Sequence, residues 1–120
     1  MKVISWTNIP VETLSNNVHR QVVWGKSSTL ARFSFAKDLH VTAHRHDSEQ
    51  YTCVMQGALK LRTAENPPIT LTAGEMLLIP GGIEHEVWVL EDSIVIDFFA
   101  PSRLDWQEGS HQYLTANEER

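Results

Sequence analysis

Two histidines separated by one residue, His44 and His46, lie in a stretch whose composition is typical of a β-strand. Because side chains i and i+2 leave a strand on the same face, these two imidazoles can converge on one point. Gln50 and His85 are the other candidates to reach that point. Imidazole nitrogen is a good ligand for transition-metal ions, and an amide oxygen is a weaker, neutral one. The pattern predicts a centre for one divalent metal ion, with coordination positions left open for catalysis.

Glu49 is the alternative to Gln50 as the fourth ligand. Its parity in the strand is opposite to that of Gln50, so we expect its side chain to point outward or to lie behind the ligands. The simplest alternative to a metal site is a chance pair of histidines on one strand face. The identity of the ion is left open among Ni, Mn, Fe, Zn, Co and Mg, because availability often decides which ion such a site holds.

The composition is that of an ordinary globular chain. With 120 residues, 42% of them hydrophobic and 21% charged, residues 1–120 are expected to form a single domain. The formal charge is −5 and the basic residues are scattered, so nucleic acid is not an expected partner. No apolar run approaches the ~20 residues of a membrane span. A single cysteine, Cys53, excludes an internal disulfide. We therefore expect a soluble cytoplasmic protein without a membrane partner.

Short apolar runs separated by turn residues predict an almost entirely β-stranded chain. Nine runs have strand length, and several of them alternate between apolar and polar residues. They cover residues 18–24, 29–36, 41–46, 50–56, 58–63, 69–72, 76–79, 85–90 and 93–99. Strands at such close intervals suggest a sandwich or a closed barrel, in which closure removes exposed edges. Residues 101–120 differ in character, and we expect this tail to cover the barrel, to form a short helix or to remain loose.

The predicted ligands lie inside two longer motifs. The stretch from His44 resembles the first cupin motif, G-x5-H-x-H-x3-E-x6-G, and GEMLLIPGGIEHEVWV resembles the second, G-x5-P-x-G-x2-H-x3-N. The matching positions are His44, His46, Gly57, Gly74, Pro80, Gly82 and His85. The resemblance implies an all-β cupin, which is a double-stranded β-helix or jelly-roll barrel. Its core would lie at about residues 18–100 and be followed by a short irregular or helical C-terminal tail.

Three positions depart from these motifs. Asp38 replaces the first glycine and Val89 replaces the final asparagine, and we expect these changes to affect only a turn and a contact of the barrel wall. Gln50 replaces the usual glutamate. A carboxylate would reduce the charge of a divalent ion to about +1, whereas an amide leaves it near +2. Such a site should favour an anionic substrate.

The chain is also similar to a subgroup of small cupins that carries glutamine at this position. The segment IDFFAPSRLDW, residues 96–106, looks like the D-x-F-x-P-x-R-x-D ending of the pectin-degradation cupins called KdgF, and LSNNVHRQVVWG near the start also resembles theirs. Those proteins open the ring of 4,5-unsaturated monouronates released from pectin or alginate and give the linear keto acid. The resemblance implies a metal-dependent enzyme with a small anionic sugar acid as its substrate.

The same resemblance implies that Asp97, Phe99 and Arg103 lie in the active site. Asp97 would move the proton at C4 as the enol becomes a ketone, Arg103 would hold the carboxylate, and Phe99 would shape the pocket. Gln56 shares the inward parity of the nearby ligands, so we expect it to line the substrate pocket. The simpler roles are a hydrogen-bonded core carboxylate for Asp97, an ion pair within the tail for Arg103 and core packing for Gln56.

Two other functions are compatible with these residues, because one barrel and one metal site can host many reactions. The first is a metal-dependent oxygenase or lyase that acts on another small carboxylated substrate. The second is a ligand-binding or sensory barrel without turnover. The long N-terminal segment and the exposed aromatic residues favour a homodimer formed by strand exchange or sheet packing.

Overall fold

The computed structural model describes residues 1–109 and 112–115. Within these residues the chain forms ten strands, one α-helix and two 3₁₀ turns. The strands are β1 (Glu12–Ser15), β2 (Val18–Trp24), β3 (Thr29–Phe35), β4 (His40–His44), β5 (Glu49–Gln56), β6 (Ala58–Thr63), β7 (Ile69–Thr72), β8 (Met76–Ile79), β9 (His85–Val89) and β10 (Ser93–Ala100). The helix α1 spans Leu104–Gln107, and the 3₁₀ turns span Trp6–Asn8 and Gln112–Leu114. The last part of the tail, residues 116–120, lies outside the described residues.

All nine expected strands are present, and their ends fall within two residues of the expected positions. The sequence analysis missed β1, which pairs with β2 alone at the edge of a sheet. Its side chains are exposed or half-buried, so it lacks the strong alternation that identifies a strand with one buried face. None of the helices in the described residues has the length and apolar character of a membrane span.

The strands form two antiparallel sheets, which confirms the expected all-β jelly roll. The larger sheet has the order β1-β2-β3-β10-β5-β8, and the smaller sheet has the order β4-β9-β6-β7. The inward side chains of both sheets form one apolar core, with Phe33 and Val95 from the larger sheet and Leu59 and Leu61 from the smaller one. Burying each of these side chains contributes roughly 1.5–3 kcal/mol. The two sheets are therefore held together chiefly by apolar contact.

Strand β10 places a carboxyl group on this core face. It lies between β3 and β5, and Val95, Asp97 and Phe99 are buried while alternate positions are more exposed, which is the parity expected from the sequence. The cross-strand neighbours of Asp97 are Ala31 on β3 and Thr52 on β5. A buried carboxyl group costs free energy unless it has a partner or a task. The position of Asp97 therefore calls for an explanation from the site around it.

The described part of the tail packs over the barrel. Trp106 of α1 and Leu114 are buried members of the core cluster. The ring of Trp106 meets Phe33 and Phe99 edge-on, with centroid distances of 6.0 and 5.0 Å. Of the outcomes left open for the tail, covering the barrel and forming a short helix both occur.

The outer face of the larger sheet carries several apolar side chains. Met76, Leu78 and Phe98 are at least 36% exposed, and Leu78 and Phe98 flank Tyr51 in one cross-strand row. Exposed apolar patches of this kind often mark contact surfaces. The homodimer stays a prediction.

Gly57, a residue of the first motif, provides a test of the turn between β5 and β6. Its φ is +90°, and an added Cβ would lie 2.2 Å from Ser93 Oγ and 2.5 Å from the carbonyl oxygen of Asp92. Gly74 has the same φ but has no atom within 4 Å of an added Cβ. We expect Gly74→Ala to cost about 1–2 kcal/mol of unfolding free energy from backbone strain alone. Gly57→Ala should cost about 2 kcal/mol more, because overpacking adds to the strain.

The measurement is urea unfolding of both variants beside the unaltered protein, with midpoints converted to free energies by a common slope. Equal losses in the two variants would contradict the close approach of Gly57 to the chain at Asp92 and Ser93.

Candidate metal centre and active site

Three histidines meet at one end of the barrel. The nitrogen atoms that His44, His46 and His85 can offer to a metal ion lie within 4.8 Å of one another. His44 on β4 and His85 on β9 are partners across the sheet ladder, and their ring centroids are 4.2 Å apart. His46 stands 5.0 Å from His85, measured between ring centroids. The group can hold a metal ion.

His46 reaches this group in a different way from the one that its spacing suggested. Strand β4 ends at His44, so His46 belongs to the loop before β5 and not to the strand face. The turn that follows β8 holds this loop, since the backbone N–H of Gly82 donates to the carbonyl oxygen of His46 at 2.8 Å. An added Cβ on Gly81 would lie 2.3 Å from the carbonyl oxygen of Asp47. The glycine-rich turn of the second motif therefore positions a ligand of the first.

Backbone carbonyl groups fix the tautomer of each imidazole. The Nδ1 atoms of His44, His46 and His85 lie 2.7, 2.9 and 2.9 Å from carbonyl oxygens two residues away. A carbonyl oxygen can only accept, so each Nδ1 carries the hydrogen and each Nε2 keeps its lone pair. This is the arrangement in which a histidine presents Nε2 to a metal ion.

Burial keeps these imidazoles neutral. Desolvation, followed by the proximity of His85, lowers the pKa of His44 to about 3. Desolvation, followed by the charge of Arg103, lowers the pKa of His46 to about 4. Desolvation also lowers the pKa of His85. Neutral imidazole is the form that binds metal ions, so the site is prepared for a cation near neutral pH.

Gln50 completes the donor set from the opposite sheet. Its Nε2 donates to Thr52 Oγ1 at 2.8 Å, which turns Oε1 toward His46 Nε2 at 2.9 Å. In this arrangement two lone pairs face each other, and a cation between them would replace repulsion by attraction. Two adjacent ligands of an octahedral ion with bonds near 2.1 Å are separated by about 3 Å. Three neutral nitrogens and one amide oxygen therefore fit a divalent cation.

The centre opens into a cavity that is lined by three of the other predicted residues. Asp97, Phe99 and Arg103 line it together with His44, Gln50, Thr52, His85, Trp106 and Tyr113. Asp97 is 8% exposed and its Oδ1 has no hydrogen-bond partner among the described residues. Burial raises the pKa of Asp97 to about 7, although Thr52, Arg103 and Gln50 act in the opposite direction. The carboxyl group can thus exist in both protonation states near neutrality.

Arg103 is buried against aromatic rings, and one of its nitrogens is unpartnered. Its Nε and Nη2 donate to the two carboxylate oxygens of Asp105 at 2.9 and 2.7 Å. Its guanidinium carbon lies 4.8 Å from the ring centroid of Phe99. Nη1 is buried without a partner among the described residues. The ion pair within the tail is therefore present, and it leaves one charged donor of a cavity-lining side chain without a partner among the described residues.

Gln56 does not belong to this site, contrary to our expectation. It is exposed, as is the preceding Met55, and the described residues that line the cavity do not include it. The register between β10 and β5 shifts between Ile94 and Val95, next to Gln56, so the inward parity of β5 is lost at its end. Glu49 is exposed at the other end of the strand, as its parity predicted.

Tyr113 is a lining residue that the sequence analysis missed. Two aromatic residues among mainly polar ones in the tail, Trp106 and Tyr113, give no periodic signal, and Tyr113 lies outside both motifs. Its ring stacks on that of His44, with a centroid distance of 4.0 Å and an angle of 23°. Only the path of the chain back to β4 shows this proximity.

A groove on the surface adjoins the metal centre. The enclosed cavity has a volume of about 30 Å³, whereas the groove has about 590 Å³. His46 lines the groove. The Nε2 atom of His46 contacts Gln50, which lines the cavity. Two basic side chains, Lys26 and Arg45, and two acidic ones, Asp47 and Asp105, also line the groove. The centre therefore stands between a small cavity and a larger groove of mixed charge.

The chain belongs to the cupin family, whose domain model matches residues 31–98. Within that family it is similar to the pectin degradation protein KdgF of Dickeya dadantii (strain 3937). The identity is 26% over 99 residues, which are 81% of this chain and 90% of that protein.

Solved structures give the same picture. KdgF from Halomonas sp. superposes with a TM-score of 0.76 at 26% identity, covering 83% of this chain and 94% of that one. An RmlC-like cupin from Shewanella frigidimarina NCIMB 400 superposes with a TM-score of 0.77 at 23% identity, covering 83% of this chain and 90% of that one. The second likeness concerns the fold alone.

Removal of one imidazole tests the metal centre. We expect Ni²⁺ or Mn²⁺ to raise the thermal unfolding midpoint of the unaltered protein, since an ion at 100 times its Kd adds about 2.7 kcal/mol. His85→Ala should lose this shift, because it removes a buried ligand nitrogen. His19→Ala is the control, since His19 bonds to Thr13 on β1. A shift that survives in His85→Ala would contradict the assignment.

Proposed function

We propose that this cupin is a metal-dependent enzyme that opens the ring of 4,5-unsaturated monouronates to give the linear keto acid. One observation carries the proposal. Of the five buried side-chain atoms without a partner among the described residues, three belong to residues that line one cavity: His85 Nε2, Asp97 Oδ1 and Arg103 Nη1. An unsatisfied buried polar group is costly. A metal ion together with a carboxylated ligand would satisfy all three.

His44, His46, Gln50 and His85 would hold the ion. Its donors are neutral, so the ion keeps nearly its full double charge and attracts an anion. When bound, the metal supplies a Lewis acid beside the carboxylate of the sugar or an adjacent oxygen. The choice of ion is left to the titrations below, because histidine and amide donors accept several divalent ions.

Arg103 would bind the carboxylate of the sugar acid. Asp105 occupies its Nε and Nη2, whereas Nη1 has no partner among the described residues, so this nitrogen of a cavity-lining side chain would serve as the charge-assisted donor. Burial to 2% exposure strengthens this interaction, because little water competes for the guanidinium. Phe99 lies against both Arg103 and His46 and excludes water from the space between them.

Asp97 would move the proton. Ring opening breaks the bond between C1 and the ring oxygen: the C1 hydroxyl loses its proton and the ring oxygen gains one, which leaves an aldehyde at C1 and an enol at C5. The enol becomes a ketone when C4 gains a proton and the oxygen at C5 loses one. Asp97 is the buried carboxyl group in the cavity with an unpartnered oxygen, so it is our candidate to deliver the proton to C4.

The two adjoining spaces suggest how such a substrate would lie. The enclosed cavity has room for a carboxylate end and not for a whole sugar, whereas the groove beside His46 has room for the ring. Lys26 and Arg45 line the groove together with Asp47 and Asp105, so the formal charges of these side chains balance, and the attraction for an anion would come from the metal ion and Arg103. The similarity to KdgF from two organisms supports the same class of substrate.

Turnover by the Asp97→Ala variant tests the proposed proton transfer. With unsaturated galacturonate monomer as substrate, loss of the conjugated-alkene ultraviolet absorbance measures the reaction. We expect the rate to fall about 100-fold or more, since general acid–base groups contribute at least this factor. The bound metal should be unchanged by elemental analysis, and Glu65→Gln on an exposed loop should behave as the unaltered protein. Normal turnover by Asp97→Ala would remove this residue from the mechanism.

The same assay separates the proposal from its alternatives. Binding of the unsaturated monouronate without any loss of absorbance would favour a sensory or binding barrel. Consumption of oxygen with an iron-loaded protein would favour an oxygenase. Either result would contradict the ring-opening function.

Exchange of the amide ligand for a carboxylate tests the charge argument. Gln50→Glu should bind Ni²⁺ or Mn²⁺ more tightly, because a carboxylate is the stronger ligand for a cation. It should also raise the KM for the anionic sugar by about tenfold, which corresponds to about 1.4 kcal/mol. Glu49→Gln is the matched control, since the side chain of Glu49 is exposed one position away. Metal titration calorimetry and steady-state kinetics measure the two effects. An unchanged KM in Gln50→Glu would contradict the charge argument. The Gln50→Ala variant, by contrast, should bind the metal ion more weakly.

A further inference from the structure

Tyr113 connects the tail to two groups of the active site. Its hydroxyl oxygen accepts hydrogen bonds from Arg103 Nη2 at 3.1 Å and from Trp106 Nε1 at 2.9 Å. Its ring stacks on the ring of His44 at 4.0 Å. Its own carbonyl oxygen accepts a hydrogen bond from Thr42 Oγ1 at 3.2 Å. One residue of a tail segment thus contacts both a predicted metal ligand and the predicted carboxylate-binding arginine.

The contacts of Arg103 show what the hydroxyl of Tyr113 can do. Asp105 holds the Nε edge of the guanidinium, and Tyr113 adds a second acceptor at Nη2. The backbone N–H of Arg103 is fixed separately, by donation to Thr29 Oγ1 at 2.9 Å. Only Nη1 then lacks an acceptor among the described residues. The plane of the guanidinium is set by two acceptors from the tail, and its remaining donor belongs to a side chain that lines the cavity.

His44 is connected to Tyr113 both through Thr42 and by direct ring stacking. The carbonyl oxygen of Thr42 accepts from His44 Nδ1 at 2.7 Å, while the hydroxyl of Thr42 donates to Tyr113. The ring of Tyr113 then covers one face of the imidazole. A ligand ring held both in its plane and on its face has little freedom to rotate away from the ion.

We propose that Tyr113 is a positioning residue: its hydroxyl orients Arg103 toward the substrate carboxylate, and its ring holds His44 at the metal. This inference deepens the proposed function and rests on it for the identity of the substrate. The two roles reside in different parts of the side chain, so they can be separated by substitution. Tyr113→Phe removes the hydroxyl and keeps the ring, whereas Tyr113→Leu removes both.

Attachment of the tail to the barrel does not require the hydroxyl. Leu114 is buried in the core and Trp106 contacts Phe33 and Phe99, so apolar contacts already fix this segment. A phenylalanine at position 113 would meet the same apolar need without a buried hydroxyl to satisfy. The polar end of Tyr113 is explained by the groups it contacts.

The first experiment measures the orientation of Arg103 directly. In ¹⁵N-labelled protein, we expect hydrogen exchange of the Arg103 guanidinium to rise about tenfold in Tyr113→Phe, because one of its acceptors is lost. Tyr51→Phe is the matched control, since Tyr51 is the other tyrosine and lies on the outer face of β5. Unchanged exchange in Tyr113→Phe would overturn the role of the hydroxyl. This readout needs no substrate.

The second experiment measures recognition of a carboxylate, with galacturonate as an unreactive probe and the metal-loaded protein. We expect Tyr113→Phe to weaken binding about tenfold, and to add no further loss in the Arg103→Met background, because it acts through Arg103. Additive losses would overturn the inference. If Arg103→Met weakens binding and Tyr113→Phe does not, Tyr113 has no such role and the proposed function stands. If galacturonate does not bind the unaltered protein, the proposed function fails, and the exchange measurement still decides the role of Tyr113.

The third experiment separates the ring from the hydroxyl by titration with Ni²⁺ or Mn²⁺ alone. Tyr113→Phe should bind the ion within about twofold of the unaltered protein, and Tyr113→Leu should bind it about tenfold more weakly. Equal affinity in all three proteins would overturn the role of the ring. Thermal unfolding without metal shows whether Tyr113→Leu is folded, and the Tyr113→Phe comparison holds if it is not.

Discussion

The site depends on one electrostatic constraint, which is that several lone pairs point at a common place inside a barrel. Three Nδ1–H groups donate to nearby carbonyl oxygens, so three Nε2 lone pairs face inward, and the oxygen of Gln50 joins them. Burial keeps the rings neutral and prevents protonation from relieving the repulsion. A doubly charged cation converts this unfavourable set into a favourable one. The requirement for a cation between these lone pairs therefore explains the electrostatics at this end of the barrel.

The same burial determines the behaviour of the residues beyond the metal ligands. Asp97 lies on the buried face of β10 with Ser93, Val95 and Phe99, and it lines the same cavity as His44 and His85. Arg103 is buried deeply enough to interact strongly with an anion, yet its charge is already partly balanced by Asp105. The cavity is thus lined by a buried carboxyl group, by histidines that can hold a cation and by an arginine with one donor unpartnered among the described residues. Charged residues that would interact only weakly on a surface interact strongly in this cavity, because water is largely excluded.

The strands, the barrel and part of the cavity were predictable because they leave periodic or motif signals. Alternation along β10 indicated the side of the sheet on which Asp97 and Phe99 lie, and the structure agrees. His46 converges with His44 as expected, but through a loop, since spacing alone does not show where a strand ends. Gln56 was misplaced because a register shift is invisible in one sequence. Tyr113 was missed because its contacts depend on the three-dimensional return of the tail.

The turn at Gly81 and Gly82 has a wider consequence. It supplies no ligand, yet the backbone of residues 46 and 47 rests directly on it. The position of the His46 backbone is thereby set by a segment that lies more than thirty residues further along the chain. The two motifs should consequently change together during evolution. A residue larger than glycine in the turn at Gly81 and Gly82 should be tolerated only where the loop that carries His46 has also changed its conformation. The lack of a side chain at Gly81 therefore determines how closely the loop that carries His46 can approach the turn.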